Sequence, residues 1–518
     1  MSVRAAAIPI LFGLLATSCA GYNAPDAVNN QASTEMAEER VAAAAPSMPA
    51  DASTIDHVAT TLTTPETTGK TETTVTTFSQ DPPAPVARVP RPRIVEGLDG
   101  PGVTDKAIRI GVTYDPTMSD RYSTQFGGEY SAGNHIRLSR IVAKIVNRAG
   151  GISGRRIRIV PWIEGRKDPD DSGLAEWERQ MCDHFTGDKK VFAVLSEVPI
   201  DHIGAACLAA RGTGVINGVR NDADHAVSAS YGNVFATSDT DYARWAKTYV
   251  AALHRRDFFK NAQDIGLVSY ADPVYQRVID KVLVPELAER SVVLDRIALL
   301  THPKNDPSEV PDDTTLQASA TMAEFRDRGI DHVLFFEGAG PWASGSFTHA
   351  ADKSGYDGFR YGLSTHQNPG QFIGGLEAIP DGQLRNAIGI GWSPLLDLRW
   401  ERAIDFLNAT AHRWVGIFRD HGVDNFDECC VMAYALQVAE RMLFLRQAIE
   451  AIDEPEINLT TFAESVEELD RAYRPLLSWR TDFGPRRHAG AALYRDLSWL
   501  DSCDCWSYRG PLRRFAGN

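Results

Sequence analysis

Beyond its first twenty residues the chain has no uninterrupted apolar run approaching the ~18 residues that a membrane-spanning helix needs. It also lacks a basic excess: 53 Lys and Arg stand against 68 Asp and Glu, a formal net charge of −15, which argues against a nucleic-acid-binding surface. The familiar catalytic signatures are missing as well. There is no G-x-S-x-G elbow, no Walker A loop and no H-E-x-x-H pair, and the one Gly-rich loop, Gly338-Ala339-Gly340, lacks the spacing of a dinucleotide fingerprint. The histidines are scattered and do not fall at metal-ligand intervals. An enzyme, a cofactor and a metal site are therefore not expected. What remains is ample for folding: 518 residues, 43% of them hydrophobic and 23% charged, describe a globular chain with room for more than one domain.

The start reads MSVRAAAIPILFGLLATSCAG, with Arg4, a short apolar run from Ala5 to Ala16, and small residues up to Cys19. The run has signal-peptide length, and Ala16-Thr17-Ser18-Cys19 resembles a lipobox. Residues 1–19 are expected to be a lipoprotein signal peptide, with Cys19 diacylated; the alternative is an ordinary secretory peptide cleaved nearby without lipid. From 20 to 104 the composition turns to Thr, Pro, Ala and acidic residues with no sustained periodicity. Such a segment cannot bury enough apolar surface to offset its ordering entropy, so a disordered tether is expected, spanning on the order of 50 Å.

Order begins with a strand, Ile108 to Thr113, and becomes unambiguous in YSAGNHIRLSRIVAKIVNRAGGISGRRIRIV, Tyr130 to Val160. Leu138, Ile141, Val142, Ile145, Val146 and Ala149 form the stripe of a helix packed on one side. Gly150 sits where a left-handed residue ends a helix, and Ile157 and Ile159 then alternate with Arg156 and Arg158 as in a strand. The segment NRAGGISGRRIRIV in this setting resembles the first unit of the Leu/Ile/Val-type (type I) periplasmic solute-binding proteins, which read N-x-x-G-G-I-x-G-x-x-I there. The C-terminal RTDFGPRRHAGAALYRDLSWLDSCDCWSY is similar to the end of actinobacterial members.

The alternation of apolar strands and helices continues through Val191–Leu195, Gly214–Asn217, Asp264–Ser269, His332–Phe336 and Arg360–Ser364. Between them lie helices, one of them, Val274 to Glu289, with a bend expected at Pro285. Later helices are predicted at Arg399–Arg419 and Asp427–Ile452. The fold class is α/β. The resemblance implies two Rossmann-like lobes with parallel sheets joined by a three-strand hinge, the type I periplasmic-binding fold. Lobe 1 would be 105–237 plus 389–472 and lobe 2 would be 238–388 plus 473–518, with crossings near 236–239, 388–394 and 473–479.

Ligands in open α/β sheets meet the loops at the carboxyl ends of strands. Those loops offer Tyr114, Ser196, Glu197 and Asn217 from lobe 1, and Tyr270, Asp272, Tyr275, Trp342, Ser364 and His366 from lobe 2. The resemblance assigns a ligand carboxylate to Ser196 and an aromatic contact to Tyr275. Where amino-acid binders of the family carry Ser-Ser or Ser-Thr, this chain reads Ser196-Glu197-Val198-Pro199, which weighs against an amino acid. The implied function is an extracytoplasmic solute-binding lipoprotein, anchored to the membrane by lipid. It would capture a small polar ligand (an amino acid, amide or polyol-like molecule) and deliver it to ABC permease subunits. The alternative is an extracellular sensing domain of the same fold, and an enzyme stands third.

Cys19 aside, six cysteines remain. Cys429 and Cys430 are adjacent and Cys503 and Cys505 are two apart, spacings that strain a direct bond, so cross-pairs among these four are expected, with Cys182 bonded to Cys207. A zinc site on the same four thiols is the rival.

Overall fold

The computed structural model describes residues 99–116, 133–163, 173–187, 189–196, 200, 202–218, 230, 232–301, 312–338, 340–370, 372–373, 376–423, 431–469, 471–485 and 487–517. Cys19, Glu197, Cys429 and Cys430 fall outside them. Two sheets organise the described chain. The first holds β1 (Val103–Thr104), β2 (Ala107–Tyr114), β3 (Arg156–Ile163), β4 (Ala193–Leu195), β5 (Gly214–Asn217) and β6 (Val234–Ala236). Its parallel part runs in the order β3-β2-β4-β5-β6, with β1 antiparallel to the start of β2. The second holds β7 (Ile265–Tyr270), β8 (Arg296–Leu300), β9 (His332–Phe336), β10 (Arg360–Ser364), β11 (Ala387–Gly391), β12 (Leu493–Leu500) and β13 (Cys505–Arg514). Here β8-β7-β9-β10-β11 are parallel, and the hairpin β12-β13 continues the sheet antiparallel. Each sheet thus repeats one winding: the second strand of each lobe lies on one side of the first strand, and the later strands lie on the other. This is an α/β architecture in two lobes.

The helices follow from local chemistry. In α1 (His135–Arg148) the Asn134 side chain accepts the Arg137 N–H, and Gly150 and Gly151 take φ of 104° and 79° to end it. α2 (Gly173–Thr186) and α3 (His202–Ala210) complete lobe 1's first half. In lobe 2, α4 (Tyr242–Arg255) is capped by Asp241, and α5 (Asp312–Arg328) and α6 (Trp342–Lys353) cover the sheet. The helix expected at 274–289 runs as Pro273–Val278, a π-helical turn Ile279–Leu283, then Val284–Ala288. The wider turn just before Pro285 accommodates a ring that has no N–H to donate.

Three differences from the sequence reading matter. The helix expected over 399–419 is broken: Leu407 is extended, and Asn408 caps a new helix, α7 (Ala409–Asp420), by accepting the Ala411 N–H. That break is where the chain passes between lobes, later than 388–394, because Phe406 still packs on Tyr508 of β13. α8 (Val431–Glu450) and α9 (Leu459–Leu469) then return to the first sheet, where Phe462 meets Phe192 and Phe235 edge-on. The third passage also comes later than 473–479. His488 to Gly490 still run beside β6 through the Ala236–Ala489 bridge, and the chain enters β12 at Leu493. At the other end, residues before 104 are already bonded into the fold: the Gly100 N–H donates to the Ile457 carbonyl and Asp99 accepts the Ile457 N–H.

Cys182 and Cys207 bond α2 to α3. Cys503 and Cys505 bond each other, so the expected cross-pairs with Cys429 and Cys430 are replaced. The tight turn joining β12 to β13 explains this, since left-handed Asp504 brings the two Cα atoms within 5.2 Å. Non-reducing peptide mapping should recover Cys182 with Cys207 and Cys503 with Cys505. Replacing Cys182 and Cys207 together by Ser should lower unfolding stability by about 3.5 kcal/mol, the chain-entropy value for a loop of this length.

Candidate functional site between the lobes

In each sheet the winding reverses direction beside its first strand, and an open crevice forms where the loops on the two sides diverge. In lobe 1 this switch point lies between β2 and β4. There the hydroxyls of Thr113 and Ser196 are 3.1 Å apart, both buried. Tyr114 and Asp115 continue from β2, and Asn217, also buried, ends β5. The helix α8 reaches the same place. Arg441 donates through Nη1 to the Ser196 carbonyl and through Nε to the Gln437 carbonyl, at 3.2 Å for the latter. Tyr434, Gln437 and Arg441 recur at i, i+3 and i+7, one face of the helix. His135, in the first turn of α1, lies 5.3 Å from the Tyr434 ring, and burial together with the Arg441 charge pushes its pKa down to about 3. The wall therefore combines hydroxyls, a permanent guanidinium charge and an imidazole that stays neutral.

In lobe 2 the switch point lies between β7 and β9. Tyr270 donates to Glu337 at 2.9 Å, and Glu337 also accepts the Ala343 and Ser344 N–H groups at 2.8 and 3.0 Å, at the start of α6. Burial raises the Glu337 pKa to about 7 against the pull of these bonds. The Tyr275 hydroxyl lies 3.0 Å from that of Tyr242 and accepts the Gly338 N–H at 2.9 Å. Only glycine fits at 338, where a Cβ would meet the Tyr242 hydroxyl at 1.7 Å. Ser364 and Gln367 cap the turn that holds His366, and Asp272 caps the helix starting at Pro273. Tyr275 and Trp342 are only 2% and 4% exposed, so neither ring presents an open face.

The two groups of strand ends meet at the first crossing. Asn217 and Gly218 accept the N–H groups of Thr237 and Ser238, and two residues on, Asp239 lies 3.0 Å from His366 of lobe 2. The His366 ring is enclosed edge-on by Trp245 and Trp392. Behind this crossing sits Glu440, which accepts from the Thr237 hydroxyl and from the Leu476 and Leu477 N–H groups. Sequence reasoning missed both Glu440 and Arg441. The signal was present as an adjacent acid and base inside the apolar run ALQVAERMLFL, where a purely structural helix would carry neither.

No family model matches the chain, and no curated protein does. Solved structures do match. A branched-chain amino acid ABC transporter protein from Thermus thermophilus with bound valine is 12% identical, with 79% of this chain and 97% of that one covered and a TM-score of 0.52. A solute-binding protein of an ABC transporter from Rhodopseudomonas palustris HaA2, in complex with p-hydroxybenzoic acid, is 10% identical over 80% and 98%, also at 0.52. A type 1 periplasmic-binding protein from Bordetella pertussis Tohama I is 13% identical over 78% and 100%, at 0.51. The fold is that of type I periplasmic-binding proteins. Among the described residues no helix is long and apolar enough to cross a membrane, and no group of three or more His, Cys, Asp or Glu is arranged to hold a metal ion.

The buried acids of lobe 2 make a pH prediction. Glu337, and likewise Asp397, which takes the Tyr508 hydroxyl, have folded pKa values near 7, above those of the unfolded chain. Each carboxyl binds its proton more tightly when folded, so its contribution is complete below the unfolded pKa and is lost as pH rises through about 7. Melting followed from pH 5 to pH 8 should therefore show a smaller decline for Glu337→Gln than for the parent. The difference should reach at most about 3 kcal/mol, from a shift of 4.5 to about 7.

Proposed function

We propose that this chain is an extracytoplasmic solute-binding protein that closes its two lobes on a small polar ligand and presents it to an ABC permease. The observation that carries the reading is the line of strand ends that leads from one lobe to the other: Thr113 and Arg441 both meet Ser196 at the lobe 1 switch point, Asn217 of the neighbouring strand end accepts the Thr237 N–H, and two residues on Asp239 meets His366 of lobe 2. Contacts from both lobes exist together only when the cleft is shut, so a ligand that makes them shifts the population toward the closed form. Tyr114, Tyr270, Asp272, Tyr275, Trp342 and Ser364 belong to this site as its walls and supports, and Glu197 as the residue after Ser196.

The ligand class follows from the lobe 1 wall. A guanidinium beside a serine hydroxyl suits a carboxylate, and valine and p-hydroxybenzoic acid, the ligands of the two solved proteins above, both carry one. No step of chemistry is required of the protein. Cys19 is the acylated N-terminus of the mature chain, and the residues after it tether the two-lobed head.

A thermal-shift screen of the full chain against carboxylic acids, amino acids and polyols tests the reading. A ligand at ~100 times its Kd should add about 2.7 kcal/mol. Ser196→Ala and Arg441→Gln should each weaken an identified acid by roughly tenfold or more without lowering the unliganded melting temperature to the same degree. Unchanged binding in both variants would place the site elsewhere. Mass spectrometry of membrane-extracted protein should find a diacylated Cys19, and Cys19→Ala should leave the chain unprocessed or released.

A further inference from the structure

One face of lobe 1 plays no part in the cleft. Arg140, Lys144 and Arg148 form an exposed row at i, i+4 and i+8 of α1, and Arg156 of β3 stands across a groove from them, floored by Ala143, Asn147, Ile157 and Ile159. Arg140, Lys144 and Arg156 make no ion pair among the described residues. Elsewhere on the surface Arg179, Arg211, Arg326, Arg328 and Arg385 each lie against a carboxylate. In a chain of net charge −15, a local group of uncompensated cations is a departure that packing does not require.

Among the described residues β3 is also an edge strand, paired only with β2, yet its edge is closed to strand addition. The Asn147 side chain bonds the outward N–H and carbonyl of Ile157 at 2.7 and 3.0 Å, and Pro161 has no N–H to offer. What the edge does present is an apolar strip. Ile157, Ile159, Pro161 and Ile163 share one side of the strand, buried under α1 at its start and emerging to Ile163, which is 60% exposed.

From this geometry we infer that the groove between α1 and β3 is a docking surface for an anionic phospholipid membrane. Arg140, Lys144 and Arg156 receive lipid phosphates, and the Ile159–Ile163 strip enters the interfacial layer. An acidic protein would satisfy the cations but not the apolar strip, whereas a lipid interface supplies both partners. The inference rests on the anchored, extracytoplasmic reading above, because a lipid at Cys19 keeps the head near a bilayer. It is independent of the ligand site, so the two fail separately.

The test is partitioning of the full chain onto vesicles of equal parts phosphatidylglycerol and phosphatidylcholine, against vesicles of phosphatidylcholine alone. The parent is compared with the combined variant Arg140→Gln, Lys144→Gln, Arg156→Gln, so that the N-terminal segment contributes equally to both. The parent should favour the anionic vesicles, and high salt should remove the preference. At about fivefold per cation, the combined variant should lose on the order of a hundredfold in that preference. It should keep the parent's melting temperature and its response to any cleft ligand. A parent with no preference for anionic vesicles, or a variant that keeps the parent's preference, overturns the proposal. So does binding of inorganic phosphate or an acidic peptide without vesicle binding.

Discussion

The buried carboxylate of Glu440 holds the two-lobed arrangement together. It lies on α8 with no exposed surface, accepting from Thr237 on the first crossing and from the Leu476 and Leu477 N–H groups on the segment that leads to the third. Its own backbone carbonyl takes the Tyr473 hydroxyl at 3.0 Å. Burying a carboxylate costs several kcal/mol before its partners are counted, and burial raises the pKa here despite them. The arrangement is favourable only because these donors are already fixed in place. Removing the carboxylate would leave three buried donors unsatisfied, at about 1–3 kcal/mol each. The second crossing is tied to the same knot, since the Asn408 amide donates to the Pro475 carbonyl, one residue before Leu476.

From that knot the site follows by geometry. Glu440 and Arg441 are neighbours in sequence, so a helical step of about 100° sends one side chain to the crossings and the next to the Ser196 strand end. The same turn of α8 therefore fixes the hinge and charges the lobe 1 wall. Asp239 and His366 extend the connection into lobe 2, within a cage of Trp245, Trp392 and Tyr242. An alteration of the α8 register would disturb hinge and wall together.

Much of the fold was legible in the sequence where one physical signal dominated. β9 and β10 coincide with the runs His332–Phe336 and Arg360–Ser364, because fully buried parallel strands are continuous apolar segments with sharp polar ends. The end of α1 was equally clear from Gly150. Signals that competed were misread. The stripe of 399–419 runs on through Asn408 without a phase change, yet Asn408 uses its side chain to cap a second helix, and a cap inside a periodic stretch looks like one more polar residue. Cys503 and Cys505 were judged by spacing alone, whereas a left-handed Asp504 in the β-turn decides their approach. Arg441 lies on a helix and not at a strand end, so its one sign in the sequence is the acid and base side by side within an apolar helical run.

The two lobes share one winding but differ in what their strand ends have left to do. In lobe 2, Tyr242, Tyr275, Tyr270, Glu337, Ser364 and Gln367 bond one another or nearby backbone, so that rim is set before any ligand arrives. A surface fixed in advance loses little side-chain freedom on contact and contributes shape to closure. In lobe 1 the Thr113–Ser196 pair and the Arg441 charge lie at the switch point itself, where hydroxyl and guanidinium groups can orient an anionic group. On the proposed function the physical division of labour is unequal: lobe 1 would recognise charge, and lobe 2 would supply a rigid counterface. In that closure the segments tied by Glu440 would set how the second is brought onto the first.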